Sequence, residues 1–382
     1  MLRVTILSIS LLTVFASAAI APALSEIAAA FPHIHPTQIK ALLTAPALTM
    51  MFIAPLAGWL SHRLGTRRLL IGGLCFYVAG GLGGGLANSF ELLFFMRLML
   101  GVGIGVLMPM SSGLIAEYFS GRERLRMMGW SSSVTSFFGI CANIAVGYLT
   151  VYSWRYGFAV YATGLVVIAL SLANIHAAPA AAQTLAIPAR LPIQVYWWAV
   201  AVFVQLLAIY AVPVNIALFI SENAIGGSRE TGIAISCLTA ASFVTGFLGV
   251  RVRSLLGRYF IFATLVMGAV GYWLLTSAHT LPATIVALLA IGFGNGFLMP
   301  YLFFSATTVV KGGSVIGAMG VVATAASLGQ FATPLLLDGI AHGLGDSSPR
   351  FVFLCMSIAI ALAALMVFAW QLAAQVRERR GL

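Results

Sequence analysis

Long apolar runs broken by short polar punctuation fill this chain from one end to the other. About 20 mostly apolar residues suffice to cross the hydrocarbon core of a bilayer as a helix. The runs predict spans over residues 4–24, 38–60, 69–88, 92–116, 127–150 and 157–176. A second set follows over 195–220, 231–250, 259–277, 282–308, 314–338 and 351–374. Loops between them are short, so almost all the mass lies within the bilayer. The stretch between the sets, "HAAPAAAQTLAIPARLPIQ", is rich in Ala, Pro and Gln and reads as a linker.

The two sets repeat one another. "GVGIGVLMP" at 101–109 returns as "GFGNGFLMP" at 292–300, with the three glycines and the closing Leu-Met-Pro unchanged. "GWLSHR" at 58–63 has its counterpart in "GFLGVR" at 246–251, "MG" at 128–129 in 319–320, and "SE" at 25–26 in 221–222. Each match maps a span onto the one six later. The predicted class is therefore an all-α integral membrane protein, twelve transmembrane helices in two six-helix halves related by a parallel repeat. The halves are 1–176 and 195–382, with a cytoplasmic linker at 177–194. Such parallel repeats are a transporter architecture that holds its ligand between the halves.

Composition strengthens this reading. Hydrophobic residues make up 61% of the chain and charged ones 8%, far below the roughly 25% charged content of soluble domains. The net charge of +11 does not point to nucleic acid, because the basic residues sit in short loops between spans. With the N-terminus inside, fifteen of the twenty Lys and Arg fall on the inner side, and Lys40, Arg97, Arg155, Arg229 and Arg350 fall toward the outer side. The bias places both termini in the cytoplasm. The start "MLRVTILSISLLTVFASAA" has the features of a signal peptide. Its apolar run continues through "IAPAL", and cleavage would break the symmetry, so it is read as the first span. Cys75, Cys141, Cys237 and Cys355 all lie in apolar runs without a CxxC pair, as small buried hydrophobes do.

The residues around these repeats resemble the Major Facilitator Superfamily, and within it the bacterial branch of twelve-helix drug:proton antiporters. The segment "GWLSHRLGTRRLL" at 58–70 matches the family's loop between the second and third helices at Gly58, Leu60, Ser61, Arg63, Gly65 and Arg67. His62 stands where the family has Asp. "LLFFMRLMLGVGIG" at 92–105 carries Arg97 followed by Gly101 and Gly105, and "APALSEIAAAFP" at 21–32 resembles the family's first turn. The Gly-Pro pair of the family's fifth helix is missing around Asn143. The resemblance implies proton-coupled efflux of small amphipathic compounds or drugs by alternating access, in the cell (inner) membrane. An importer or facilitator of a small metabolite in the same fold is the alternative. It also implies a gating loop at Gly58, His62, Arg63, Gly65 and Arg67, where a histidine could make the latch pH-sensitive.

Arg97 lies about 9 Å inside its span at 1.5 Å per residue, where an arginine costs about 2.5–3.5 kcal/mol on insertion scales. Intramembrane charges mark pathways and proton relays; the alternative is a side chain snorkelling to the headgroups. The nine acids all lie at or near span ends. Glu26 and Asp338, at the outer ends of the first and eleventh spans, are the candidates to join Arg97 in proton coupling. The polar and aromatic residues within spans that could line a substrate cavity are Ser17, Met108, Ser136, Asn143, Gln205, Tyr210, Asn215, Asn295, Tyr301 and Gln330. They describe a neutral chamber suited to amphipathic or uncharged ligands.

The glycines of "GVGIG" sit inside an apolar span without a preceding strand, so they are packing glycines and not a dinucleotide loop. "HIH" at 33–35, flanked by prolines, reads as a turn. The clustered ligands or nucleophile–base pairs of an enzyme are not found, and no metal or cofactor is expected. The partners expected are a small-molecule substrate, protons and the lipid bilayer, with the chain acting as a monomer.

Overall fold

The computed structural model describes residues 1–175, 191–310 and 314–379, with no strand among them. The first half comprises α1 (Leu2–Leu12), α2 (Phe15–Ala18), α3 (Leu24–Ala30), α4 (Pro36–Leu64), α5 (Thr66–Gly85), α6 (Phe90–Tyr118) and α7 (Gly121–Thr150). A 3-10 segment, Trp154–Ala162, then leads into α8 (Thr163–Asn174). The second half comprises α9 (Ile193–Glu222), α10 (Ser228–Leu256), α11 (Phe260–Thr276), α12 (Leu281–Thr308), α13 (Ser314–Gly343) and α14 (Pro349–Arg379). Eleven described stretches are long and apolar enough to cross a membrane. The linker expected at 177–194, and with it the boundary between halves, lies mostly outside the described residues.

The continuous first span expected over 4–24 is corrected to three short helices, α1 to α3. At the first break, Thr13 and Val14 close tight i→i−3 bonds onto Ser10 and Leu11. At the second, Pro22 lacks an N–H and disfavours helical backbone at the residue before it. The sixth span also differs from a plain α-helix, because its first nine residues are 3-10.

The repeat seen in the sequence is a repeat of contacts. On α6, Gly101 and Gly105 abut Pro46, Thr49, Met50 and Ile53 of α4, while Gly103 abuts Gly73 and Tyr77 of α5. On α12, Gly292 and Gly296 abut Leu238, Ala241, Ser242 and Thr245 of α10, while Gly294 abuts Thr264 and Gly268 of α11. Any side chain at these places would strike a neighbouring helix, so the glycines set how closely the helices cross. Helix starts repeat as well. The Ser89 hydroxyl accepts from the Leu92 N–H at 3.2 Å, and the Thr280 hydroxyl accepts from the Ala283 N–H at 3.5 Å. Helix N-termini leave four N–H groups free, and such caps satisfy one of them.

The halves meet along two seams, α4 against α13 and α7 against α10. The helix ends carrying Arg63 to Arg68, Arg122 to Arg126 and Arg251 to Arg258 share one end of the molecule with Arg3. This is called the basic end below, and the other the far end.

Candidate functional site: the seams between the halves

At the far end α4 starts at Pro36, with the His35 ring nitrogen Nδ1 accepting from the Thr37 N–H at 3.3 Å. "HIH" is thus a turn that caps a helix. One turn later Lys40 projects from α4 toward α13. Its Nζ donates to Asp338 Oδ1 at 2.7 Å, and Thr37 Oγ1 donates to Asp338 Oδ2 at 2.8 Å. Lys40 is 2% exposed and Asp338 7%, so this is a buried ion pair joining the two halves. A turn deeper, Thr44 Oγ1 donates to the Phe331 carbonyl at 3.5 Å, and the seam continues as apolar contact.

The second seam is built on small residues. Gly147 and Gly232 bring α7 and α10 into backbone contact, with Gly232 lying on the Asn143 carbonyl. Ser236 Oγ donates to the Ile140 carbonyl at 3.1 Å. Above them the Arg229 guanidinium stacks on the Tyr148 ring at 4.8 Å, and Ser228 Oγ donates to Glu26 Oε1 at 3.1 Å. Every hydrogen bond described across the two seams lies in their far-end halves. Toward the basic end the same helices part. A methyl group at Gly129 of α7, Gly246 of α10 or Gly320 of α13 would meet nothing within 4 Å.

Helical spacing carries each seam face onward at i±3 and i±4. Past the last contact those turns hold Leu48, Met51 and Pro55 on α4, Ser136 and Gly129 on α7, Thr239 and Gly246 on α10, and Ser327, Thr324 and Gly320 on α13. None is charged. This middle stretch of the faces therefore carries hydroxyls, small residues and apolar side chains, and the next turns toward the basic end bring Arg126 on α7 and Arg253 on α10.

The described bonds of Arg97 lie within the first half. Its side chain is 0% exposed, so it turns into the protein and does not snorkel. Nε donates to the Leu42 carbonyl of α4 at 3.0 Å, and Nη1 donates to Tyr161 Oη at 2.7 Å. The Tyr161 ring meets Tyr77 edge-on at 5.5 Å. Arg97 thus stitches α4, α6 and the 3-10 segment within the first half. Leu42 and Lys40 are two residues apart on α4, so one turn of that helix is held by Arg97 from within and by Asp338 from across the seam. The three residues expected to act in coupling occupy three distinct polar contacts, with Glu26 at Ser228, Asp338 at Lys40, and Arg97 at Leu42 and Tyr161.

The expected gating loop forms the α4–α5 corner at the basic end. Gly65 has φ +81°, a conformation that costs a residue with a Cβ and suits glycine. Arg67 Nη2 donates to the Leu172 carbonyl of α8 at 2.9 Å, and Arg63 stacks on Trp59 at 4.6 Å. Both contacts stay within the first half. The side chains of His62 and Ser17 lie outside what the structure describes. Nearby, partial burial raises the Glu117 carboxyl from its ordinary value.

The remaining cavity candidates divide among different places. Gln205 Nε2 donates to Asn295 Oδ1 at 3.0 Å, between α9 and α12 inside the second half. Tyr301 belongs to a cluster with Trp198, Phe260 and the Arg253 guanidinium. Asn215 is fully buried and donates to the Ala211 carbonyl of its own helix. Tyr210 packs against the core with its ring partly covered. Asn143 lies in the α7–α10 seam, Ser136 on the open continuation of that seam, and Met108 is half exposed. Gln330 is partly buried on α13.

Sequence reasoning passed over Lys40, counted only as an outer-side charge. The signal was present, because Lys40 lies inside the span predicted at 38–60. A second missed pair is Arg155 and Arg350. Each reaches back to a carbonyl in the turn of a helical hairpin, Arg155 to Ala87 between α5 and α6 at 2.6 Å and Arg350 to Ala278 between α11 and α12 at 3.2 Å.

Residues 6–322 match the family model described as Major Facilitator Superfamily. Among curated proteins, the multidrug transporter protein MdtP of Bacillus subtilis is 36% identical over 88 residues, 23% of this chain and 16% of that protein. The methylenomycin A resistance protein of Streptomyces coelicolor is 28% identical over 158 residues, 41% and 33% of the two chains. The quinolone resistance protein NorA of Staphylococcus aureus is 26% identical over 141 residues, 37% and 36% of the two. The matches thus cover only a minor part of each relative. Solved structures of similar fold include a bacterial homologue of the human lysosomal transporter Spinster, with TM-score 0.78 at 16% identity over 96% of each chain. The inward-open xylose transporter XylE of Escherichia coli has TM-score 0.75 at 15% identity, over 96% of this chain and 95% of that one.

Proposed function

The chain belongs to the Major Facilitator Superfamily, and from that premise we propose that it is a secondary transporter that exports small amphipathic compounds, driven by the proton gradient. Its place is the bacterial cytoplasmic membrane, with the basic end and both termini inside. On that orientation the far end faces outward, and the conformation described above is closed outside and open inside. The observation that carries the reading is this asymmetry. Both seams are bonded at the far end and parted at the basic end, as alternating access about a site between the halves requires.

Three similar proteins whose printed names speak of multidrug transport or antibiotic resistance favour export. The uncharged middle stretch of the seam faces favours neutral or weakly polar amphipathic ligands, because a cation there would lose its hydration without gaining a counter-charge. Proton coupling is assigned to Arg97 with the two far-end acids, Glu26 and Asp338, which stand where external protons arrive. The 58–67 loop is assigned the closing of the inner side.

The test is growth of cells stripped of their own efflux pumps, challenged with a panel of toxic amphipathic compounds. Wild type and Arg97→Ala are compared at matched membrane levels. Protection by wild type that is lost with a protonophore supports proton-driven export, and its loss with Arg97→Ala shows that export needs Arg97. Protection against nothing in the panel would move the reading to uptake. One observation favours that second reading, the lack of any acid in the middle of a span. Accumulation of a labelled sugar or organic anion in energised cells is its test.

A further inference from the structure

The buried charge pair of the α4–α13 seam is more than export by itself demands. Both oxygens of Asp338 are taken by α4 of the opposite half, one by Lys40 and one by Thr37. The site opens only toward the far end, since α13 ends one turn later at Gly343 while Thr44 and Phe331 close the seam beneath. In this conformation a proton reaches and leaves Asp338 by that same side, which suits the carboxylate to govern the outer gate.

We propose that Lys40, Thr37 and Asp338 form a latch on the outer mouth, closed while the carboxylate is charged and released when a proton from outside neutralises it. The proposal rests on the orientation given under Proposed function, with the far end outside. Lys40 is its positioning residue, because it supplies the charge that makes the closed state depend on the ionisation of Asp338. In the charged state the carboxylate accepts two hydrogen bonds and offsets a buried ammonium. Protonation removes that compensation and leaves Lys40 buried beside a neutral acid, an arrangement relieved by parting the helices and readmitting water. The outer mouth thus opens more readily when protons are abundant outside, the condition in which a proton gradient is there to be used.

Other ionisable groups stand near. Glu222, at the end of α9, lies in the field of Lys40. Glu26 on α3 is held by Ser228, with Arg229 and Glu230 at the start of α10. Arg350 at the start of α14 bonds Ala278 and approaches His279, and His342 and Asp346 follow Asp338 in the chain. Arg97 reaches the same turn of α4 from within its own half. Segment α12, also packed on α13, carries no charge.

The experiment uses the full chain in lipid nanodiscs, with the four native cysteines replaced and spin labels at Leu86→Cys and Leu344→Cys. These are exposed far-end positions, one in each half. Distances between the labels are read without substrate on either side of the carboxylate range. The short distance should dominate at neutral pH, and a longer one should grow on acidification, on the order of tenfold in population. Lys40→Met or Asp338→Asn should show the longer distance at both pH values. Exchanging the charges, Lys40→Asp with Asp338→Lys, should restore the short one at neutral pH. The charge-free pair Lys40→Met with Asp338→Leu guards against a variant that fails to fold and should lose the pH response. A response that persists in that pair would assign the sensor to Glu222, Glu26 or His342 and overturn the proposal, as would single variants that keep the wild-type distances. The readout needs no transport, so a failed export screen leaves it standing, and its own failure leaves export untouched.

Discussion

The position of Arg97 separates two roles that a single alanine variant confuses. Removing one partner from a buried charged contact costs about 3–5 kcal/mol, and a replacement that fills the space spares the part of the loss due to the cavity. The repeat supplies that replacement, since the residue 191 positions on from Arg97 is Leu288, also 0% exposed. The fold therefore already accommodates leucine at this place in its other half. Arg97→Leu should lower the detergent melting temperature less than Arg97→Ala does, while proton-driven transport is lost. A melting temperature lowered as far as in Arg97→Ala would make the Leu42 and Tyr161 bonds structural and remove Arg97 from coupling. Arg97 was legible in the sequence because it is a lone charge within an apolar run. The partnership of Lys40 was not, because Asp338 lies 298 residues away and no local pattern joins the two.

At the scale of the helices, glycine spacing does what the apolar pattern cannot, because it fixes how closely two helices cross. Gly101 has the Pro46 carbonyl and Thr49 where a side chain would begin, and Gly292 has Leu238 and Ala241. Gly113, on the same helix as Gly101, has open space. Forcing a methyl group into a packed contact costs about 1–3 kcal/mol, while Gly→Ala in a helix otherwise gains up to about 1 kcal/mol from propensity. Gly101→Ala and Gly292→Ala should each lower the melting temperature, and Gly113→Ala should leave it unchanged or raise it. Equal effects at all three would refute the packing account. The spans were readable because hydropathy and length are nearly all a membrane asks of a helix. The breaks that divide α1 from α2 and α2 from α3 were not, because a run such as "SLLTVFASAAIAPAL" is as apolar broken as continuous. What ends those helices is Pro22 and two tight turns at Thr13 and Val14, which barely change the average.

For the molecule as a whole, two seams of different chemistry close the same end. The α4–α13 seam has a charge pair whose strength depends on protonation. The α7–α10 seam has Gly147 and Gly232, whose contact depends only on shape. Neither is sufficient for a rocking motion alone, since two rigid halves can pivot only if both seams part together. A wedge between Gly147 and Gly232 should therefore open the α4–α13 seam. Gly232→Trp places an indole where the Asn143 carbonyl now lies, and its bulk must hold α7 from α10 at the far end. With the cysteines replaced and Thr44→Cys introduced in the other seam, where Thr44 is now 0% exposed, labelling by a membrane-impermeant maleimide from outside should become rapid. Transport should cease, because the outer mouth can no longer close. If Thr44→Cys stays protected while Gly232→Trp still abolishes transport, the seams open independently and the two halves do not move as rigid bodies.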